Sequence, residues 1–418
     1  MDERFIEQYL LNDLNLREEM WDRCIFVFDS NVLLNLYIYS VDTRKEFLET
    51  FKHINDRIVF ASQSIIEFHN NRITNIKRQQ EEFQRIRKNI NSSTAKIKQA
   101  NKEALSSFQG IKSLFRKFPL DYTFQEEENL LNEYQKKIIE KLEEAQEFLP
   151  SYVNDEILNT LSELFLQRAN ESFSNDEIKE FEEEGEKRYK AKTPPGYTDD
   201  DKDENKYGDL IIWKEMIAIA KRESKPLIFI TDERKEDLWE MNEKLLLFPR
   251  LELIKEFYLE TKQFFWIYSS DYFLKKIARS NNKIGEEELK KAIREISETQ
   301  EIHRLVGEFI SVWNTFESRL RLMIYSDEDI IQKVKSRYNN LKLIPIHFIA
   351  EQLYNKELLD SRNMEEFLSL RQFRNKLVHN DIAPTIEEIN NLIYRLNELC
   401  ENLKIDEDKD EGFSTTSS

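Results

Sequence analysis

Four short apolar runs stand out along a chain that otherwise follows a helical pattern. They are Cys24–Phe28, Arg57–Ala61, Pro226–Thr231 and Phe264–Tyr268. Because the apolar stretch within each run is unbroken, the runs predict strands that are buried on both faces, as in a parallel sheet covered by helices. A helical pattern over Leu210–Lys221 precedes the third run. The sequence therefore predicts an α/β fold with a parallel sheet flanked by helices.

Some 165 residues separate the second run from the third, far more than one crossover connection needs. Within this stretch apolar residues recur at seven-residue steps: Ile76, Phe83, Ile90, Ile97, Ala104 and Ile111. A second apolar series begins at Leu131 and ends before Pro150. A heptad spacing is typical of helices that pack along one another. We therefore predict a long helical hairpin inserted into the α/β domain, over about residues 70–190.

Charge divides the predicted hairpin into a basic and an acidic part. Residues 70–118 contain twelve Lys or Arg and three Glu, whereas Glu dominates the residues that follow Asp121. Two interpretations stay open. In one, the basic helix pairs with its acidic neighbour; in the other, it is an arm that contacts nucleic acid.

After Tyr272 the pattern is helical throughout. A wide apolar stripe covers Ile302–Ile324, as in a helix that faces a bundle core. Further helices are predicted over residues 327–338, 345–353, 364–379 and 385–404. We therefore expect an α/β domain over residues 1–280, an all-α bundle over residues 281–405, and a disordered tail over residues 406–418.

Composition excludes several classes of protein. Lys and Arg total 62 against 80 Asp and Glu, a net charge of −18, so nucleic-acid binding needs local basic surface or metal ions. The seven Gly are too widely spaced for a Gly-rich phosphate loop, and two Cys with five His exclude a Cys-rich zinc site or a zinc protease. No apolar run is long enough to span a bilayer. We expect a cytoplasmic protein with no membrane partner.

Acidic residues follow the predicted strands at the points where these end. Asp29 follows the first strand and Asp232 follows the third, while Glu67 and Asp209 lie at the starts of nearby helices. Because the carboxyl ends of parallel strands share one edge of a sheet, these acids are expected to face one site. Such an all-oxygen set suits Mg²⁺ or Mn²⁺. Taken singly, Asp29 and Asp209 are also typical of helix caps and Asp232 of a turn.

Five strings within residues 15–275 resemble a family. Residues 26–34, 65–68, 194–197, 206–215 and 229–237 are similar to the PIN-like nuclease domain, in the bacterial subgroup with a long helical insertion. The resemblance implies a PIN-like, metal-dependent nuclease with Asp29, Glu67, Asp209 and Asp232 as catalytic metal ligands. It further implies supporting roles for Asn31, Thr231 and Asp237. Glu233 stands where the family pattern has a further Asp.

A second motif lies in the predicted bundle. Asn375 and His379 are four residues apart, so they share one helix face, and the long side chain of Arg374 can reach the same face. A His and an Arg around a phosphate fit attack by a ribose 2′-OH, which acts on RNA alone. The string resembles the motif of HEPN domains, helical bundles that usually dimerise. The resemblance implies that Arg374, Asn375 and His379 form an RNase site; a non-cleaving module or helix-end contacts are the alternatives.

Taken together, these patterns favour a bacterial endoribonuclease that requires Mg²⁺ or Mn²⁺. We expect RNA as substrate and a homodimer or higher oligomer formed through the HEPN-like bundle. The resemblance further implies a toxin or antiphage defence effector, with a regulatory protein partner. Three alternatives stay open: only the bundle cleaves RNA and the α/β part is a sensor; the α/β part cleaves DNA; or the protein is a regulatory scaffold with a structural ion.

Overall fold

The computed structural model describes residues 14–109, 120–242, 245–280, 286–324, 332, 344–378 and 384–402. The chain divides into two compact units, Met1–Ile296 and Ser297–Ser418, whereas the predicted boundary lies at residue 280. The division falls within one long helix, Glu286–Met323. No described helix is both long and apolar enough to cross a membrane.

A small parallel sheet forms the centre of the first unit. The strands of this unit are β1 (Ile25–Phe28), β2 (Leu227–Ile230), β3 (Trp239–Asn242), β4 (Leu245–Pro249) and β5 (Phe265–Tyr268). Strands β1, β2 and β5 pair in parallel in the order β1-β2-β5. Every residue of β1 and β2 is buried, which confirms the prediction of a parallel sheet covered on both faces. The antiparallel β3–β4 hairpin was not predicted.

The second apolar run is not a full strand, so the prediction for Arg57–Ala61 is wrong in part. Ile58 forms a single parallel bridge with Phe26, and Phe60 forms another with Ala169. The 3₁₀ turn Asn55–Arg57 precedes the run and a long helix begins at Ser62. The two bridges go to different partners, Phe26 and Ala169, so the segment forms no continuous ladder with either one.

Helices account for most of the described chain. The first unit contains α1 (Leu14–Arg23), α2 (Ser30–Asn35), α3 (Val41–His53), α4 (Ser62–Gln109), α5 (Leu120–Glu147), α6 (Glu156–Arg168), α7 (Asn175–Lys190), α8 (Gly208–Glu223), α9 (Leu251–Thr261) and α10 (Ser270–Ser280). Aromatic rings from these helices, among them Phe51, Trp213, Phe257 and Phe273, pack in one core with the strands. Burial of these rings is the main force that fixes the helices on the sheet.

The insertion contains a helical hairpin formed by α4 and α5. It begins at Ser62 and ends at Glu147, so its bounds differ from the predicted 70–190. Lys98 Nζ lies 2.5 Å from Asn132 Oδ1, Gln135 Nε2 lies 2.7 Å from Asn91 Oδ1, and Arg87 pairs with Glu143. In these three contacts the residue numbers fall along α4 as they rise along α5, so the two helices are antiparallel.

The apolar residues that recur at seven-residue steps along α4 differ in burial. Ile76, near the start of the helix, is buried, whereas Ile97 is exposed. Ile111 lies outside the described residues. Helices α6 and α7 then return the chain to the sheet.

The second unit is helical. Its described part contains the C-terminal portion of α11 (Glu286–Met323), α12 (Ile346–Asn355), α13 (Ser361–Val378) and α14 (Ile386–Asn402). Trp313, Phe316 and Phe367 form its aromatic centre, with the rings of Trp313 and Phe367 stacked at 6.0 Å. Most of the predicted helix over residues 327–338 and the whole tail over residues 406–418 lie outside the described residues.

Candidate active site

Asp29 lies where β1 ends and α2 begins. Its carboxylate does not cap α2. Instead, Oδ2 accepts hydrogen bonds from Thr231 Oγ1 at 2.6 Å and from Asn31 Nδ2 at 2.7 Å. The side chain is buried. The side chain of Asp29 is therefore not a helix cap. Its carboxylate is held instead by Thr231, which follows β2, and by Asn31 in the first turn of α2.

Glu67 lies in the second turn of α4 and points to the same sheet edge. Ser30 Oγ donates to Glu67 Oε2 at 2.7 Å and lies 3.4 Å from Asp29 Oδ1, so one hydroxyl connects the two acids. Asn205 Nδ2 and Gln63 Nε2 donate to Glu67 Oε1 at 2.8 and 2.9 Å. Neutral hydroxyl and amide groups thus orient Glu67.

Asp209 is the second residue of α8, and it also does not cap its helix. Its Oδ2 accepts from the Lys235 ammonium at 3.0 Å. Lys235 also donates to Asp199 Oδ2 at 2.9 Å. Burial raises the pKa of Asp209 to about 6, although Lys235 opposes the rise. A single lysine therefore holds two carboxylates next to the sheet edge.

Asp232 follows β2 and is fixed from α10. Ser270 N donates to Asp232 Oδ1 and Ser270 Oγ to Oδ2, both at 2.9 Å. Asn35 Nδ2 donates to Oδ2 at 3.1 Å. Burial raises the pKa of Asp232, and the hydrogen bonds from Ser270 oppose that rise. The carboxylate of Asp232 thus ties the end of β2 to the first residue of α10, the helix that follows β5.

Two of the predicted supporting residues connect the acids. Asn31 Nδ2 also reaches Thr231 Oγ1 at 3.1 Å, and Asn31 Oδ1 accepts from the backbone N–H of Asp232 at 3.3 Å. Asn31 therefore links Asp29 with the Asp232 segment. Its amide and the Thr231 hydroxyl act together on Asp29 Oδ2.

Asp237, the third predicted supporting residue, lies elsewhere. It is fully buried, and its Oδ2 accepts from Gly196 N, Thr198 N and Thr198 Oγ1 at 2.9, 3.2 and 2.8 Å. Its Oδ1 is buried with no hydrogen-bond partner among the described residues. Asp237 thus fixes the loop over residues 194–199 and contacts none of the four predicted metal ligands in the hydrogen bonds of the described chain.

Like charges crowd Asp29. Burial raises the pKa of Asp29 to about 8, the negative charges of Asp209, Glu233 and Glu67 add to the rise, and the bond from Thr231 opposes it. The structure therefore brings Asp29, Glu67 and Asp209 into one electrostatic environment, with Asp232 joined to it through Asn31.

The chemistry of these donors fits a hard divalent cation, which prefers several carboxylate oxygens and relieves their repulsion. As they stand, however, no three acidic, His or Cys side chains in the described part of the chain lie close enough together to hold a metal ion. Hydroxyls, amides and the Lys235 ammonium occupy the carboxylate oxygens instead. The site has the composition of a metal centre without a preformed cage.

Sequence reasoning missed three ionisable residues at this site. Lys235 and Asp199 form the ion pairs described above. Glu215 is buried on α8 and accepts from Gln63 N at 3.1 Å, at the first turn of α4. Burial raises the pKa of Glu215 to about 7. The only signal was proximity to the five strings that resemble the family. Lys235 and Glu215 lie within them, and Asp199 lies two residues after the string over residues 194–197, at the start of an acidic run.

The second predicted site is described only in part. Arg374 and Asn375 lie near the end of α13, and Arg374 Nη1 donates to Asn375 Oδ1 at 3.4 Å. Arg374 Nε is buried and has no hydrogen-bond partner among the residues described. His379 lies outside the described residues.

Comparison with known proteins identifies the first unit. The sequence model of the PIN-like domain matches residues 25–253, more than half of the chain. The chain belongs to the PIN-like domain family. PIN-like domains are in general nucleases, so membership supports a nuclease activity. No curated protein and no solved structure matches the chain. No family model supports the HEPN-like interpretation of residues 281–405, which stays a prediction.

Proposed function

We propose that the PIN-like domain is a metal-dependent endoribonuclease. The observation that carries the proposal is the geometry around the buried Asp29 carboxyl, which is joined to Glu67 through Ser30 Oγ and to the Asp232 segment through Asn31. Burial and the neighbouring acids raise the pKa of Asp29. Crowding of like charge in a buried place costs free energy, and functional sites are where such arrangements concentrate. Family membership supports the nuclease class.

In this proposal Asp29, Glu67, Asp209 and Asp232 hold Mg²⁺ or Mn²⁺. When bound, such an ion supplies a nucleophilic water near neutral pH and neutralises charge on the phosphate. The protein's own contribution is orientation. Thr231 and Asn31 aim Asp29 Oδ2, Ser30 joins Asp29 to Glu67, and the amides and hydroxyls around them keep the rotamers fixed.

RNA is the proposed substrate because both halves of the chain point to it: the family resemblance of the first unit and the Arg374-Asn375 string of the second. DNA is the alternative for the PIN-like domain. A bacterial toxin or antiphage defence effector, held in check by a regulatory partner, is the proposed biological setting; it rests on the resemblance alone.

One incubation tests the reaction class. Mixed RNA and DNA are incubated with the full chain in Mn²⁺ or in EDTA, and the product ends are mapped. We expect RNA fragments with 5′-phosphate ends that disappear in EDTA. Because loss of an outer-shell partner already costs about 10–100-fold in metal enzymes, Asp29→Asn and Asp209→Asn are expected to lose at least about 100-fold.

The matched control is Asp56→Asn, which removes the same charge from an exposed 3₁₀ turn in the same unit. Its activity is expected to equal that of the wild type. Cleavage that survives EDTA and is unchanged in Asp29→Asn would contradict the proposed metal site. Products from DNA alone would favour the DNA nuclease alternative.

A second candidate function rests on the adjacent Arg374 and Asn375 of the helical unit, where a buried guanidinium nitrogen has no described partner. In it the HEPN-like unit cleaves RNA through Arg374, Asn375 and His379, and the PIN-like domain is a sensor or binding module. Such cleavage needs no metal, so it is expected to survive EDTA and leave 2′,3′-cyclic phosphates. It should vanish in Arg374→Ala but persist in Arg362→Ala, an exposed arginine on the same helix.

A further inference from the structure

A lysine ammonium lies between two carboxylates at the proposed metal site. Lys235 Nζ is 2.9 Å from Asp199 Oδ2 and 3.0 Å from Asp209 Oδ2. The side chain of Lys235 is only 20% exposed, so both ion pairs are largely shielded from water. Of its two partners, only Asp209 is a proposed metal ligand.

Asp199 is built to keep its position. It ends the 3₁₀ turn Tyr197–Asp199, which follows Gly196 with a left-handed φ of 90°. The buried Asp237 holds this loop through Gly196 N and Thr198. Asp199 also pairs with Lys202 at 2.7 Å. Asp199 therefore stays in place whether or not Lys235 is shared with Asp209.

The other proposed ligands of this edge have a different kind of partner. Hydroxyl and amide groups hold Asp29 and Glu67, whereas Asp209 is paired with a full positive charge. A Lys ammonium within hydrogen-bond distance satisfies a carboxylate oxygen that a divalent ion would otherwise take. The pairing occupies Asp209 Oδ2, one of the oxygens that a metal cage would need, and no three acids of the described part of the chain form such a cage.

We propose that Lys235 is a built-in counter-ion of the metal site. It neutralises Asp209 in the metal-free protein and competes with the divalent ion for that carboxylate. When the ion binds, Lys235 keeps its pair with Asp199 alone. This makes Lys235 a positioning residue that sets metal affinity, and the inference rests on the proposed function only for the existence of the metal site.

The test is the affinity of the full chain for Mn²⁺, measured by titration calorimetry. Because an opposite charge in contact shifts ionic equilibria by about 10-fold or more, Lys235→Met is expected to bind Mn²⁺ about 10-fold more tightly than the wild type. Without metal it should melt at a lower temperature, since Asp209 loses its counter-ion, and Mn²⁺ should raise its melting temperature by more than that of the wild type.

Lys202→Met is the matched control. Lys202 pairs with the same Asp199 but not with Asp209 in the ion pairs of the described chain, so it removes an equal charge without freeing the ligand. Its Mn²⁺ affinity is expected to stay near the wild-type value. An equal tightening in both variants would show a general charge effect and would overturn the proposal.

Lys235→Arg keeps the charge and tests the same idea if Lys235→Met does not fold. It is expected to bind Mn²⁺ no more tightly than the wild type; tighter binding would overturn the proposal. If the wild type binds Mn²⁺ and Lys235→Met binds it no more tightly, the role of Lys235 is contradicted but the metal site is supported. If neither the wild type nor Lys235→Met binds Mn²⁺, both the metal site and the role of Lys235 are contradicted. If only Lys235→Met binds Mn²⁺, the result supports competition between Lys235 and the ion for Asp209.

Discussion

The buried carboxyl group of Asp29 makes the metal-free protein sensitive to pH. Burial raises its pKa from 3.8 to about 8, with Asp209, Glu233 and Glu67 adding to the rise. The unfolded chain releases this proton at about pH 4, whereas the folded chain retains it up to about pH 8. Between these values the folded state binds more protons, so its stability falls as the pH rises.

We predict that Asp29→Asn weakens this pH dependence. Asn keeps an oxygen that accepts from Thr231 but does not ionise. In EDTA, the wild type is expected to lose stability between about pH 5 and about pH 8 by on the order of a few kcal/mol more than the variant. Urea unfolding over a series of pH values measures the difference.

The profile of Asp29→Asn is not expected to be flat, because Asp209 and Glu215 have pKa values raised to about 6 and about 7 by burial and act in the same direction. Asp56→Asn, an exposed acid, should follow the wild type. Equal pH slopes in the wild type and Asp29→Asn would contradict the role given to the Asp29 carboxyl.

The loop over residues 194–199 depends on one buried acid. Asp237→Ala leaves the buried Gly196 N and the partly buried Thr198 N and Thr198 Oγ1 without their acceptor. Loss of such a set costs about 2–4 kcal/mol, and Asp199 should lose its fixed position. We predict a lower urea midpoint and weaker nuclease activity. Asp203→Ala, an exposed acid of the next loop, should change neither; a midpoint unchanged in Asp237→Ala would contradict the clamp.

The two interpretations of the insertion hairpin differ in the partner of its basic residues. In one they pair with the acidic helix α5, and in the other they contact nucleic acid. The ion pair Arg87–Glu143 joins the two helices. Lys88, Lys96 and Lys102 are exposed and make no ion pair with any residue of the described ranges. Within the described ion pairs the acidic helix thus does not neutralise these three lysines, and polyphosphate is the natural partner for such charges.

We predict that changing Lys88, Lys96 and Lys102 together to Gln weakens RNA binding. For a single strand the slope of log affinity against log salt should fall by about 2. The control changes Lys136, Lys137 and Lys141 to Gln, which removes the same charge from the acidic helix α5. Binding curves over a salt series measure both. An identical loss of RNA affinity in the two triple variants would indicate a general effect of net charge and would contradict a specific contact between RNA and α4.

The elements that sequence predicted well are those whose signal is local. Unbroken apolar runs gave β1, β2 and β5, and the heptad gave α4. The segment over residues 57–61 has the same apolar composition, but Ile58 pairs with Phe26 and Phe60 pairs with Ala169. No local signal shows that the pairing partner changes between these two residues. The β3–β4 hairpin is short and carries an irregular register at Glu240/Met241, so its alternation is weak.

The residues of the candidate site also fall into those that the sequence predicts and those that it does not. Acids at strand ends were predictable because the sheet topology places strand ends together, and Asn31 and Thr231 adjoin them. The partners Ser270, Asn205 and Asp199 come from distant segments and ordinary polar stretches. No sequence spacing predicts that Lys235 forms an ion pair with Asp209. Such pairings depend on the folded arrangement of distant segments and are seen only in the structure.

An exposed apolar pair on the second unit bears on the assembly of the whole molecule. Arg395 on α14 contacts Glu366 and Ser369 on α13. Tyr394 and Leu368 therefore lie at the same level on neighbouring helices, and they are 66% and 45% exposed. A contiguous exposed apolar surface is typical of a contact with another protein, and we predict that these two side chains belong to such a surface. A second copy of the chain is the predicted partner, as expected for the bundle from its sequence.

We predict a dimer at micromolar concentration, with twice the mass of one chain in sedimentation velocity. Changing Tyr394 and Leu368 together to Glu should place like charges in the contact and shift the protein to one chain's mass, because charge buried without a partner is costly. Tyr134→Glu, on the exposed face of α5 in the first unit, is the control and should remain dimeric. A wild-type monomer would remove the dimerising role of the bundle, whereas a dimer that survives both Glu changes would move the contact to another face.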